Sequence, residues 1–191
     1  MKKPLFITLL VIVSFYGYAQ DTVGLKLPIK EGRLVYEGII NTPSKSKMDL
    51  YNNAKQWFVD YFKSSKDVIQ NEDKEQGRIT GKGIIFIYLK SFGITHSYND
   101  KITIQIDVKD DKYRYRIYDM VATVPSVYTD MTGTLPAHDF TPEDLIGKLT
   151  GTGKASFTKN QCRKLLESTN SETLSTIASL ITAMNAKTDT F

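Results

Sequence analysis

Lys101-Ile102-Thr103-Ile104-Gln105-Ile106-Asp107-Val108-Lys109 is followed by Asp110 and Asp111, and then by Tyr113-Arg114-Tyr115-Arg116-Ile117-Tyr118 at the head of a run that reaches Thr123. In the first run Ile102, Ile104, Ile106 and Val108 share one side, and Thr103, Gln105 and Asp107 share the other. In the second, Tyr113, Tyr115 and Ile117 oppose Arg114, Arg116 and Tyr118. Successive strand side chains point to opposite faces. Two alternating runs joined by an acidic turn therefore read as an antiparallel pair with one face buried and one open or partly covered.

The flanking sequence extends this sheet on both sides. Residues 67–73 and 78–89 read as a hairpin around Glu75-Gln76-Gly77, and the apolar stretch 84–89 suits a central strand. Residues 34–40 read as a further strand, ended by Asn41-Thr42-Pro43-Ser44. Between them Leu50, Tyr51, Ala54, Trp57, Phe58, Tyr61 and Phe62 recur at helical spacing, which predicts a helix over 47–63. Ser46 and Asp49 stand as a capping box at its start. Downstream, 124–153 is irregular apart from a short helix over about 142–148, begun by Thr141-Pro142-Glu143-Asp144. A last helix spans 159–186 behind Thr158 and Gln161, with the polar stretch 168–173 expected to break or bend it.

The order is β-α-β-β-β-β-α. It describes an α+β two-layer domain, with an antiparallel sheet of about five strands carrying two main helices on one face. Residues 20–32 read as an irregular lead, and 33–187 as one domain.

The N-terminus reads as an export signal. Lys2 and Lys3 precede the apolar run 5–15, and Gly17 and Ala19 sit three and one residues before a cut after Ala19. The run is about eleven residues, roughly 16 Å as a helix, against a bilayer core of about 30 Å. It is therefore read as a cleavable signal rather than an anchor, and no transmembrane segment is expected in the mature chain. The expected location is the periplasm or the cell surface.

Cleavage corrects the charge. The full chain has 25 Lys+Arg and 21 Asp+Glu; losing Lys2 and Lys3 leaves a net charge of +2. So small an excess gives no footprint for nucleic acid, which is not expected as a partner. The single cysteine, Cys162, cannot close an internal disulfide. Its spacing with Leu165, Leu166 and Thr169 places it as a small buried hydrophobe, with a reactive thiol as the sharper alternative.

One spaced pattern resembles a known family. It comprises Leu27-Pro28-Ile29 with Gly32, Val35-Tyr36-Glu37, Leu50-Tyr51-Asn52-Asn53-Ala54-Lys55-Gln56-Trp57, Ile69-Gln70-Asn71-Glu72-Asp73-Lys74-Glu75 and Ile79-Thr80-Gly81-Lys82-Gly83. Over roughly residues 27–123 the chain is similar to a secreted domain-of-unknown-function family of Bacteroidetes-type bacteria, described as having a TATA-box-binding-protein-like fold. The resemblance implies the same element order. It implies no catalytic or binding residues, and fold alone does not imply DNA binding.

No catalytic or metal-binding constellation stands out. The two histidines, His96 and His138, read as loop residues, too few for a zinc site without converging carboxylates. A serine nucleophile elbow is missing. Gly81-Lys82-Gly83 and Gly151-Thr152-Gly153-Lys154 lack the spacing of a phosphate loop. No catalytic, cofactor-binding or metal residue is assigned, and no cofactor is expected.

The open sheet face is the candidate interaction surface. Alternation gives it Arg78, Thr80, Lys82, Ile84, Phe86 and Tyr88 from one strand and Arg114, Arg116, Tyr118 and Met120 from another. Arg78, Lys82, Phe86, Tyr88, Arg114, Arg116 and Tyr118 are the residues singled out. Segment 124–153 is expected to fold over the apolar end; if it does not, that end is a binding patch. The reading leans away from an enzyme. It favours a non-enzymatic binding module of the cell envelope with an unidentified protein or ligand as partner. The alternatives are a hydrolase with dispersed residues involving His96 or His138, and a structural protein that self-associates along a sheet edge.

Overall fold

A computed structural model describes residues 19–22, 24–63, 68–91, 93–129 and 133–186. The expected signal peptide, up to Tyr18, and the last residue of the expected domain, Lys187, lie outside the described residues.

The principal sheet is built on the two alternating runs. They form β7 (Ile94–Lys109) and β8 (Lys112–Val124), paired antiparallel with Val108 opposite Tyr113 and Ile104 opposite Ile117. β6 (Arg78–Ser91) pairs along the other side of β7, and β5 (Ile69–Asp73) extends the sheet beyond the first residues of β6. The outer side of β8 is shared. Its first half pairs with β4 (Tyr36–Asn41) and its last residues with β11 (His138–Phe140). β7 begins seven residues before the expected strand, because the polar stretch Thr95–Asn99 continues the ladder opposite β6.

Helix α1 (Lys47–Phe62) starts at the expected capping box: Ser46 Oγ accepts from the Asp49 backbone N–H, and the Asp49 carboxylate accepts from the Ser46 backbone N–H. Its apolar face, Leu50, Tyr51, Ala54, Trp57 and Phe58, is buried. Gly81 and Gly83 make room for it. A Cβ on Gly81 would stand 2.6 Å from the Phe58 ring, and one on Gly83 would collide with Phe62. These glycines serve close helix–sheet approach rather than phosphate.

Helix α2 (Pro142–Thr150) has its capping box at Thr141 and Asp144 and ends on Gly151 in the left-handed conformation. Gly147 O accepts from the Thr152 and Gly153 backbone N–H groups, so the second glycine-rich stretch is a helix stop.

Helix α3 (Lys159–Asn185) runs unbroken through 168–173, contrary to the expected break. Thr169 and Thr173 there, and Thr176 one turn on, face inward and are buried. They continue the stripe set by Leu165, Leu166, Ile177, Leu180 and Met184. Inward hydroxyls answer the polar atoms of α1: Thr176 Oγ1 lies 2.9 Å from the Tyr61 hydroxyl, and Ser179 Oγ accepts from Trp57 Nε1 at 3.1 Å.

Two stretches expected to be irregular carry short strands. In the lead, β1 (Ala19–Thr22) pairs with β2 (Leu25–Lys30), and β2 with β3 (Arg33–Leu34). In segment 124–153, β9 (Val127–Thr129) pairs with β10 (Gly133–Leu135), and β11 joins the main sheet. His138 therefore lies on β11 and His96 on β7, not in loops.

Candidate functional site

The buried face of β6 carries Ile79, Ile85, Ile87 and Leu89 against the helices. The alternate residues emerge on the opposite face, where all seven singled-out residues lie. Cross-strand register orders them into rows. Asp73, Arg78, Asp107 and Arg114 form one row, and Gln105, Arg116 and Glu37 the next. Lys82, Thr103 and Tyr118 follow. Beyond them lie Ile84 beside Lys101, Phe86 beside Asn99, and Tyr88 beside Ser97.

The arginine end is an internal ion network rather than a bare cationic patch. Asp107 accepts from Arg78 Nε at 2.6 Å, Arg114 Nη2 at 2.8 Å and Gln105 Nε2 at 2.9 Å. Burial pushes the Asp107 carboxyl up, but these donors outweigh it and hold the group below its ordinary range. Arg116 Nε stands 3.1 Å from Glu37 Oε2 without the alignment of a hydrogen bond, and its guanidinium lies 5.1 Å from the Tyr118 ring centre. Lys30 approaches Glu37 from the other side at 3.5 Å. Each arginine already faces a carboxylate, so an added anion would have to displace one.

The apolar end is different. Ile84, Phe86 and Tyr88 are 46%, 52% and 45% exposed. The expectation that 124–153 covers them is overturned. Phe140, from that segment, packs instead with Tyr98 and Phe157, ring centres 5.0–6.1 Å apart, on the helix side. Leu145 and Leu149 of α2 are buried as well. Phe140, Leu145 and Leu149 are thereby part of the main core, whereas Val127 and Leu135 of the same segment stay exposed.

Met120 departs from its expected place: it is buried, not on the open face. Lys101 pairs with Val121, but Thr103 pairs with Tyr118, so β8 carries one extra residue. Asp119 supplies the bulge in the left-handed region at φ 52°. Behind it the alternation is re-phased, so Met120 and Ala122 point inward.

Both histidines lie at the surface, and one of them meets a serine. His138 Nε2 lies 3.1 Å from Ser156 Oγ, and both residues are exposed. The neighbouring Asp139 accepts from Thr123 Oγ1 at 2.6 Å instead of orienting the ring. His96 is exposed on β7. Among the described residues no three His, Cys, Asp or Glu side chains converge as a metal set. Cys162 is fully buried, with burial pushing its thiol up.

One group escaped sequence reasoning. Asp100, 1% exposed, sits on the inward face of β7 with Oδ1 lacking a partner. Burial, reinforced by Glu143 of α2, pushes its carboxyl up to about 7. The signal was available: Asp100 falls in phase with Ile102, Ile104 and Ile106, a charge on an apolar face.

An antiparallel sheet with helices on one face and the other face open is an α+β two-layer domain, and its likeness to solved structures makes the fold TBP-like. Over residues 36–122 the chain matches the family described as "Domain of unknown function (DUF4468) with TBP-like fold". Two crystal structures share the fold. A TBP-like protein from Parabacteroides distasonis is 18% identical with a TM-score of 0.67, the match covering 84% of this chain and 99% of that one. A DUF4468 family protein from Bacteroides ovatus is 17% identical with a TM-score of 0.65, covering 88% and 96%. No curated protein matches the chain. No described helix is long and apolar enough to cross a membrane.

Proposed function

We propose that the protein is an exported, non-enzymatic binding module of the cell envelope that engages a protein or ligand through the apolar end of its open sheet face. The observation that carries the reading is the exposed row Ile84, Phe86 and Tyr88 on one strand. Contiguous apolar surface of this kind marks interaction sites. The row stands on a fourteen-residue strand paired along its length with β7, with Lys82 and Lys101 beside it as polar rim. Aromatic anchors within a polar rim are the usual composition of an interface centre. The N-terminal pattern of Lys2, Lys3, the apolar run and Ala19 supports export.

The test is capture from the native envelope with the mature domain as bait, in parallel with a Phe86→Ser/Tyr88→Ser bait. Each aromatic buried by a partner contributes about 1.5–3 kcal/mol, so the double variant should weaken capture by at least about tenfold. Its thermal midpoint should stay unchanged, because both side chains are already half in solvent. Equal recovery by both baits would refute the reading.

A further inference from the structure

β4 pairs with β8 on one side only. The direction of its backbone groups follows from two hydrogen bonds at its ends. The Thr42 N–H donates to Asp111 O, towards β8, and the Val35 N–H donates to Pro28 O, away from it. The register between them is continuous from Tyr36 opposite Ile117 to Asn41 opposite Lys112. Even-numbered residues therefore direct their N–H and C=O groups at β8. Glu37, Ile39 and Asn41 direct theirs outward, where no described strand pairs with them.

Beneath this edge lies a half-open groove of about 480 Å³ between β4 and α3. Ile40 and Tyr115 form its sheet wall, and Leu174, Ile177 and Ile181 its helix wall. Tyr115 reaches the groove because its partner Gly38 has no side chain; a Cβ there would stand 2.6 Å from the phenol oxygen. Leu174 is 49% exposed. In the groove lining, Thr42 is buried with its hydroxyl unpartnered.

The charges beside the edge are unequal. Lys112 is exposed opposite Asn41, and Lys109 is exposed one strand further in, opposite Lys112. The nearby acids are committed elsewhere: Asp110 accepts from the Lys47 N–H and Asp111 from the Ser44 N–H, both at 2.7 Å. At the other end Glu37 is held by Arg116 and Lys30.

We infer that the outer edge of β4 and the groove beneath it accept an extended polypeptide segment alternating apolar and acidic residues, which adds to the sheet as a further strand. Its backbone pairs with Glu37, Ile39 and Asn41. Its apolar side chains enter the groove against α3, and its acidic ones lie above, facing Lys109 and Lys112. Strand addition takes affinity from main-chain hydrogen bonds and specificity from pockets for alternate side chains. This site is separate from the open-face row and does not depend on it.

The test uses an N-acetylated, fluorescein-labelled peptide of about nine residues alternating Leu and Asp, long enough to span one strand. Fluorescence anisotropy should show saturable binding, about tenfold or more tighter than for a Leu/Lys alternating peptide or a block-ordered peptide of the same Leu/Asp composition. Amide exchange at Ile39 and Asn41 should slow on binding. Ile39→Pro removes an outward N–H that makes no bond to β8, and should weaken binding at least about tenfold. Leu174→Asp, at a site already half exposed, should do the same by opposing the peptide's charge and apolar contact. Phe86→Ser should leave binding unchanged, so loss of this inference and loss of the open-face reading are distinguishable. Binding indifferent to residue order, to Ile39→Pro and to Leu174→Asp would overturn the inference. So would a dimer of the unliganded protein that Ile39→Pro dissolves, since the edge would then belong to a second copy.

Discussion

Replacing Asp100 with asparagine should change how stability depends on pH. The carboxyl is held at about 7 against an ordinary 3.8, by burial first and by Glu143 second. The unfolded chain therefore ionises Asp100 at lower pH than the folded protein does. The stabilising contribution of the neutral group is complete below about pH 4, is lost between about pH 4 and 7, and is gone above the folded value. The interval corresponds to about 4 kcal/mol at about 1.4 kcal/mol per pH unit, an upper figure because relaxation and water entry soften burial. The Asp100→Asn side chain has no charge to acquire. An offset of about 1–3 kcal/mol applies at every pH if its amide finds no partner. Urea unfolding from pH 4 to 8.5, followed by the fluorescence of the one tryptophan, Trp57, reads both quantities. The difference between variant and parent should move in favour of Asp100→Asn as pH rises, by up to about 4 kcal/mol across the range. Parallel profiles would refute the argument, whatever the offset.

Other consequences are quicker to check. Gly83→Ala should cost about 1–3 kcal/mol in denaturant unfolding, because the new methyl meets the Phe62 ring, and Phe62→Leu should recover part of the loss. Asp107→Asn should remove a contribution that is present above the ordinary carboxylate range and lost as pH falls through the depressed folded value; with Arg78 and Arg114 both part-exposed, the expected loss at pH 7 is about 1 kcal/mol. Cys162 should react with an aromatic disulfide reagent only at the rate of opening, and stoichiometrically in urea; rapid modification of the native protein would revive the reactive-thiol alternative.

The sheet was legible because its strands alternate without interruption from Arg78 to Leu89, from Lys101 to Lys109 and from Tyr113 to Tyr118. α1 was legible because apolar spacing and a capping box agreed on its start. Three features were not. The bulge at Asp119 depends on one residue's left-handed backbone, which a period of two cannot reveal, and Met120 was placed on the wrong face for that reason. The continuity of α3 was hidden by its inward hydroxyls: Thr169, Thr173 and Thr176 read as polar in the sequence, yet all three are buried and Thr176 answers Tyr61. The short strands of the lead contain Pro28, which has no N–H to give a ladder, and are joined through Gly24; Pro28 still offers its carbonyl to Val35. On the open face, alternation placed the seven candidate residues but not their partners. Asp107 and Glu37 turn three of those residues into an ion network, and only register brings them together.

Photo-crosslinking tests the central claim most directly. A crosslinking amino acid replaces Phe86 in one sample and Met48 in another, the latter 43% exposed on α1 as a control of similar accessibility. With the protein produced in its native cell, the account predicts discrete adducts from position 86 and none from position 48. Adducts of equal yield from both positions, or none from position 86, would contradict it.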